Sequence, residues 1–164
     1  MSAVKQLLAT VVKRLRALRH KTTREEMVAE CERMRRLLEF KGRSLRQKAM
    51  EFHRRAAQYA KMGDLELAKS ELAAWAEYNS EARAYLMLSS IISRFELRIA
   101  RMSTIEEINA LGEKVEEFFD RTLEKLPDNP ILAVRQLETS MTVLDSMLGL
   151  QVEAAPTPEL EEVV

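Results

Sequence analysis

Ala56-Ala57-Gln58-Tyr59-Ala60-Lys61-Met62-Gly63-Asp64-Leu65-Glu66-Leu67-Ala68-Lys69 is the stretch whose reading decides the fold. On either side of it the sequence carries a long helical pattern, from Arg24 to Met62 with Thr22 or Thr23 as its N-cap, and from Asp64 to Met102. Glycine enters the left-handed region without a Cβ penalty, so Gly63 can close the first helix. Asp64 beside it can cap the next by accepting from the free amides of its first turn. A joint this short predicts two neighbouring antiparallel helices, a helical hairpin with Gly63 and Asp64 at its tip. At 1.5 Å rise per residue, arms of roughly 38 residues would each be about 57 Å long. A rod of this kind suits an assembling element better than a catalyst.

Working back from the tip, a seam runs Met27, Cys31, Met34, Leu38, Lys41, Leu45, Ala49, Phe52, Ala56, Tyr59. Its steps of three and four are the 3.5-residue repeat of coiled-coil packing. Lys41 interrupts it beside Gly42, a soft point in the arm. The remaining faces carry Arg35, Arg36, Arg43, Arg46, Arg54 and Arg55, a basic face suited to lipid headgroups or an acidic partner. Nucleic acid is not expected, because exposed aromatics are not interleaved with the cations and no reading motif is present. Working forward, the second arm answers with Leu65, Ala68, Leu72, Trp75, Asn79, Ala82, Leu86, Ser89, Ile92, Phe95, Ile99 and Met102.

Residues 1–20 place Val4, Leu7, Leu8, Val11, Val12, Leu15 and Leu18 on one helical stripe. Lys5, Lys13, Arg14, Arg16, Arg19 and His20 crowd the other face, with no acidic residue. A cationic amphipathic helix of low net hydrophobicity fits a membrane interface, where each basic residue adds about 1 kcal/mol at an anionic leaflet. The same stripe could pack on the hairpin, and a transit peptide has a similar composition. Past the second arm, Thr104 and Glu107 have capping-box spacing, and a short helix from Ile105 is expected to end at Gly112. Another follows with Val115, Phe118, Phe119, Leu123 and Leu126 inward. Pro127-Asp128-Asn129-Pro130 stops and restarts the chain. The last helix shows the seam Val134, Leu137, Met141, Leu144 and Leu148, with Gly149 as its end. Residues 149–164 are acidic with two prolines and read as a disordered tail.

Composition agrees with an all-α chain: four Gly and four Pro in 164 residues, 5% aromatic and 32% charged. The formal net charge of zero hides a split. Residues 1–101 hold 22 Lys/Arg against 12 Asp/Glu, a net of +10, and residues 102–164 hold 4 against 14, a net of −10. An acidic portion can therefore fold back over the basic hairpin, a charge-held latch that salt would loosen. No apolar run reaches the roughly 18 residues of a membrane span. A lone cysteine excludes an internal disulfide and suits a reducing compartment, so a cytoplasmic or peripheral protein is expected.

Catalytic chemistry has little to build on. His20 and His53 stand far apart and Cys31 is isolated. Glu51 and His53, two residues apart, point to different faces, unlike the Glu-x-x-His of a di-iron bundle. Phe40-Lys41-Gly42-Arg43-Ser44 only echoes a phosphate-binding loop. No enzyme, metal or cofactor is expected.

The long basic first arm, the joint from Ala56 to Lys69, the equally long second arm and the acidic distal helices resemble ESCRT-III core proteins. Residues 21–148 carry the likeness, with the hairpin at 24–102 and distal helices at 104–148, and it is nearest to the archaeal Cdv cell-division branch (CdvB-type). The resemblance implies filaments of this chain and paralogous subunits that remodel anionic membrane at the inner face of the cell membrane, at the division site. In it, residues 1–20 would insert into the bilayer, the arginines of the basic face would contact lipid or neighbours, and the 134–148 seam would latch onto neighbouring hairpins. It also implies an AAA ATPase pulling on C-terminal motifs, which Ala155-Pro156-Thr157-Pro158-Glu159-Leu160 weakly resembles. PspA/Vipp membrane-maintenance proteins share the hairpin, and a soluble helical scaffold or adaptor is the alternative without a membrane role.

Overall fold

A computed structural model describes residues 2–21 and 23–153. Among these the chain is all-helical, without a strand: α1 (Ala3–Leu18), α2 (Arg24–Lys61), α3 (Leu65–Arg101), α4 (Ile105–Lys125) and α5 (Pro130–Glu153). Each helix starts where a short polar side chain takes up free amides of the first turn. Ser2 accepts from the Lys5 amide at 3.3 Å, Thr23 from Glu26 at 3.1 Å and Asp64 from Leu67 at 3.1 Å. Thr104 accepts from Glu107 at 3.2 Å, and Asn129 Oδ1 from Ile131 and Leu132 at 3.0 and 3.1 Å. Thr22, the other cap expected for the second helix, lies outside the described residues, as does the segment 155–160.

α2 and α3 pack side by side and run antiparallel. At one end Arg24 Nη1 donates to the Met102 carbonyl at 2.7 Å, midway the Ser89 hydroxyl donates to the Arg35 carbonyl at 3.2 Å, and near the joint Arg55 meets Glu71 at 3.2 Å. Gly63 turns the chain with φ of 81°, and the Asp64 amide donates to the Tyr59 carbonyl at 2.9 Å. α5 lies along α3 in the same direction, through Arg83–Glu138 at 2.9 Å, Arg94–Asp145 at 2.5 Å and buried Arg98, whose Nη1 reaches the Leu148 carbonyl at 3.1 Å. α4, which joins them in the chain, packs chiefly on α1. The core sits at this five-helix end, with Leu8, Leu15, Met27, Met34, Leu88, Ile92, Phe95, Ile99, Phe119, Leu137, Leu144 and Leu148 fully buried.

Several expectations need correction. α4 is one helix that passes through Gly112, because burial of Ile108, Val115 and Phe119 on a single face outweighs the ~1 kcal/mol helix cost of one glycine. α5 likewise continues through Gly149 to Glu153, so the tail expected at 149–164 is helical over 149–153, and its remainder lies outside the described residues. In α2 the seam takes Gly42 in place of Lys41: Gly42 is buried under Leu86 and Tyr85 while Lys41 is exposed. The soft point is therefore a place of close approach between the two long helices. Leu65 and Leu72, assigned to the seam of α3, are exposed at 63% and 41% because no other helix of the described residues covers that part of the pair.

Candidate functional site

Two regions carry the residues singled out from sequence: the docking face of α1 and the outer part of the α2–α3 pair. On α1 the whole apolar stripe, Val4, Leu7, Leu8, Val11, Val12, Leu15 and Leu18, is buried in the core. The helix proposed for a membrane interface is, in this arrangement, packed inside the bundle. Its basic face is ordered by acids of the second half of the chain. Lys5 pairs with Asp128 at 2.9 Å, Arg16 with Glu116 and with Asp120 at 3.0 Å, and Arg19 with Glu113 at 3.1 Å and Glu116 at 2.8 Å. The Glu116 hydrogen bond, followed by the Asp120 charge, raises the Arg16 guanidinium above its ordinary pKa. Lys13 and Arg14 have no carboxylate partner among the described residues.

Magnitudes decide what holds α1. Burying a Val or Leu side chain contributes about 1.5–3 kcal/mol, an upper bound set by the extended reference chain, against about 0–1 kcal/mol for an exposed ion pair. Seven buried apolar side chains therefore dominate, and the ion pairs set register more than affinity. The latch is apolar first, which corrects the charge-held latch expected from the net charges. It also differs in place, since acidic α4 covers α1 and leaves the basic face of α2 open.

Glu116 is the one clasp acid that is itself buried. Glu116→Gln should lower stability by about 1 kcal/mol, kept small because Arg16 is half exposed and can rehydrate. Thermal melts at low salt should fall by about 2–4 °C, and the difference should shrink in 1 M salt, where screening acts within about 3 Å.

The outer part of α2 and α3 lies between Leu38 and Ala84, the last and first residues of these helices in the main core. That is about 35 Å of two-helix stem along α2. Small buried residues, Ala49, Ala56, Ala68 and Ala82, bring the backbones together there. Ring contacts stand in for a core. Phe52 stacks on Tyr78 with centroids 5.2 Å apart, and His53 meets Trp75 edge-on at 5.3 Å. Lys48 Nζ lies 4.9 Å above Tyr78 and Arg55 4.6 Å above Phe52. Such pairs contribute about 0.5–1.5 kcal/mol beyond burial. Around them Phe40, Met50, Met62, Leu65, Leu67 and Leu72 are exposed, Met62 at 77%.

The basic face divides. Arg35 turns inward, with Nε 3.7 Å from Glu96 on α3, and does not belong with the surface set. Arg36 and Arg43 pair with Glu32 and Glu39 of their own helix at 2.6 Å, and Arg55 with Glu71. Arg46 and Arg54 are exposed with no acid partner among the described residues. The seam Val134, Leu137, Met141, Leu144 and Leu148 is buried, with α5 laid along this chain's own α3. Arg98, which pins the end of that seam, was invisible in the sequence because it reads as one more solvated arginine.

Among the described residues no group of three or more His, Cys, Asp or Glu could hold a metal ion, and no helix is long and apolar enough to cross a membrane. Burial, with Glu96 and Glu30 nearby, pushes the Cys31 thiol up to about 12, which removes thiolate character at neutral pH.

The chain matches no family model, no curated protein and no solved structure.

Proposed function

We propose that this protein is a non-catalytic, filament-forming subunit that remodels anionic membrane, an ESCRT-III-like protein of the Cdv kind working at the cytoplasmic face of the cell membrane. The observation that carries this reading is the bare stem. A 35 Å pair of helices without a core, with Met62, Leu65 and Met50 in solvent, is an unusual surface to leave uncovered in a monomer. Side-by-side assembly of many copies would cover it. Arg46 and Arg54 then offer unpaired cations to anionic headgroups or to an acidic neighbour. α1 would join the membrane only by exchanging its buried stripe for lipid. A bilayer can receive that stripe and salt water cannot, so vesicles, and not ionic strength, should release it. Paralogous subunits and an AAA ATPase acting on the segment after α5 are further partners implied by the resemblance.

Negative-stain microscopy and co-sedimentation with anionic vesicles test the reading. Filaments or coated tubules are expected, and Met62→Asp with Leu65→Asp should abolish them while leaving the melting temperature unchanged, because both side chains are exposed. A second reading, a soluble helical scaffold, is favoured by the complete burial of the α1 stripe. It would be upheld by a discrete oligomer with no vesicle association.

A further inference from the structure

The geometry points to a binding site for one single-chain anionic amphiphile, a fatty-acid-like carboxylate, in the cleft between α1, α2 and α3. The cleft has a volume of about 250 Å³. Its floor is apolar and buried, made by Leu7 and Val11 of α1 and Met34 and Leu38 of α2. Its rim carries two cations, Arg14 and Lys41, and no carboxylate of the described residues lines it. Neither cation has an acid partner among the described residues; on the same helix as Arg14, Lys13 is also without one, whereas Lys5 and Arg16, and Arg19 at the helix C-cap, are paired.

An apolar floor with an uncompensated positive rim is complementary to a molecule apolar at one end and negative at the other. Arg14 can fork a carboxylate through two N–H groups, while Lys41 adds a point charge. Size narrows the class. The cleft falls below the roughly 300–1,000 Å³ of drug-sized pockets, which excludes a two-chain lipid. At about 30 Å³ for a water-sized group, close to the volume of a methylene, it holds a chain of roughly eight carbons. This site needs neither a bilayer nor assembly, so its failure and that of the filament reading are separate results.

Titration calorimetry of the full chain with hexanoate, octanoate and decanoate, each below its micelle concentration, tests it. One-to-one binding is expected, with affinity rising roughly fourfold per methylene up to about eight carbons and then levelling. Acetate should not bind, and neutral decyl maltoside should bind at least tenfold more weakly than decanoate. Arg14→Glu and Lys41→Glu should each weaken decanoate at least tenfold, and Arg14→Lys, which keeps the charge but loses the fork, should fall between the wild type and Arg14→Glu. Leu37→Trp, at a partly exposed lining position, should block the cleft. If circular dichroism reports misfolding of Arg14→Glu, the exposed Lys41→Glu carries the charge test alone. Absence of saturable decanoate binding, more than one equivalent bound, equal affinity for the neutral chain, or wild-type affinity in the charge-reversed chains would overturn the site.

Discussion

Leu8→Asp should free α1 from the bundle. Leu8 is completely buried in the middle of the docked stripe. The substitution removes about 1.5–3 kcal/mol of apolar burial and would place a carboxylate where desolvation costs several kcal/mol more. Undocking the helix is then cheaper than keeping the charge inside, so the penalty is capped by the docking energy of α1. A loss of at least about 3 kcal/mol is expected, in the range that marks buried-charge substitutions. Limited trypsin digestion reads it directly, since Lys13, Arg14, Arg16 and Arg19 offer cleavage sites in α1. They should be cut early in the Leu8→Asp chain while the α2–α3 pair survives longer. Lys13→Asp, on the exposed face of the same helix, removes one site and should leave the protection of Arg14, Arg16 and Arg19 unchanged. Equal protection of α1 in the two chains would mean that its stripe does not hold it, and the argument for an apolar latch would fail.

The contrast between Leu8 and Lys13 also marks what could be read from sequence. The α1 stripe was legible because seven apolar residues at helical spacing leave one face unambiguous. Its destination was not. A periodic pattern states which face must leave water and not what will cover it, and bilayer and bundle satisfy that demand equally. Helix starts were legible at Thr23, Asp64, Thr104 and Asn129, where local side-chain-to-amide hydrogen bonds set the boundary. Helix ends were misread at Gly112 and Gly149, because a breaker costs about 1 kcal/mol locally and tertiary burial of neighbours such as Phe119 and Leu148 exceeds that. The charge split correctly foretold that acids of the second half meet bases of the first, as in Arg16–Glu116, Arg83–Glu138 and Arg94–Asp145. It misplaced where, since net charge carries no direction: acidic α4 meets α1 and leaves Arg46 and Arg54 of α2 open.

The register slip between Lys41 and Gly42 has the sharpest consequence. Steps of three and four admit either residue in the seam, and only the position of Leu86 decides. A Cβ on Gly42 would lie 2.9 Å from Leu86 Cγ and Cδ2 and 3.1 Å from Tyr85 Cβ. Leu86 Cδ2 can swing away, but Leu86 Cγ moves only by a change of χ1, which the packed helix pair restricts, and Tyr85 Cβ moves only with the α3 backbone. Glycine to leucine in a helix gains about 0.8–1 kcal/mol of propensity, while overpacking costs about 1–3 kcal/mol and sometimes more. Gly42→Leu adds three further carbons to that contact, so the cost falls at the upper end and overpacking wins, with a net loss of about 2 kcal/mol. For a chain of this length that lowers the melting temperature by about 4–8 °C. The single tryptophan, Trp75, should report the splayed stem by a change in fluorescence before global unfolding. Gly112→Ala is the counterpart with the opposite sign, because its Cβ would meet nothing nearer than Arg19 Cγ and Phe95 Cζ at 4.0 Å. It should stabilise by about 0.4–1 kcal/mol through helix propensity and a stiffer unfolded chain. Gly42→Ala separates the two cases with the smallest change. If it raised the melting temperature as Gly112→Ala does, the close approach of α2 and α3 at Gly42 would be wrong, and the register of the stem with it.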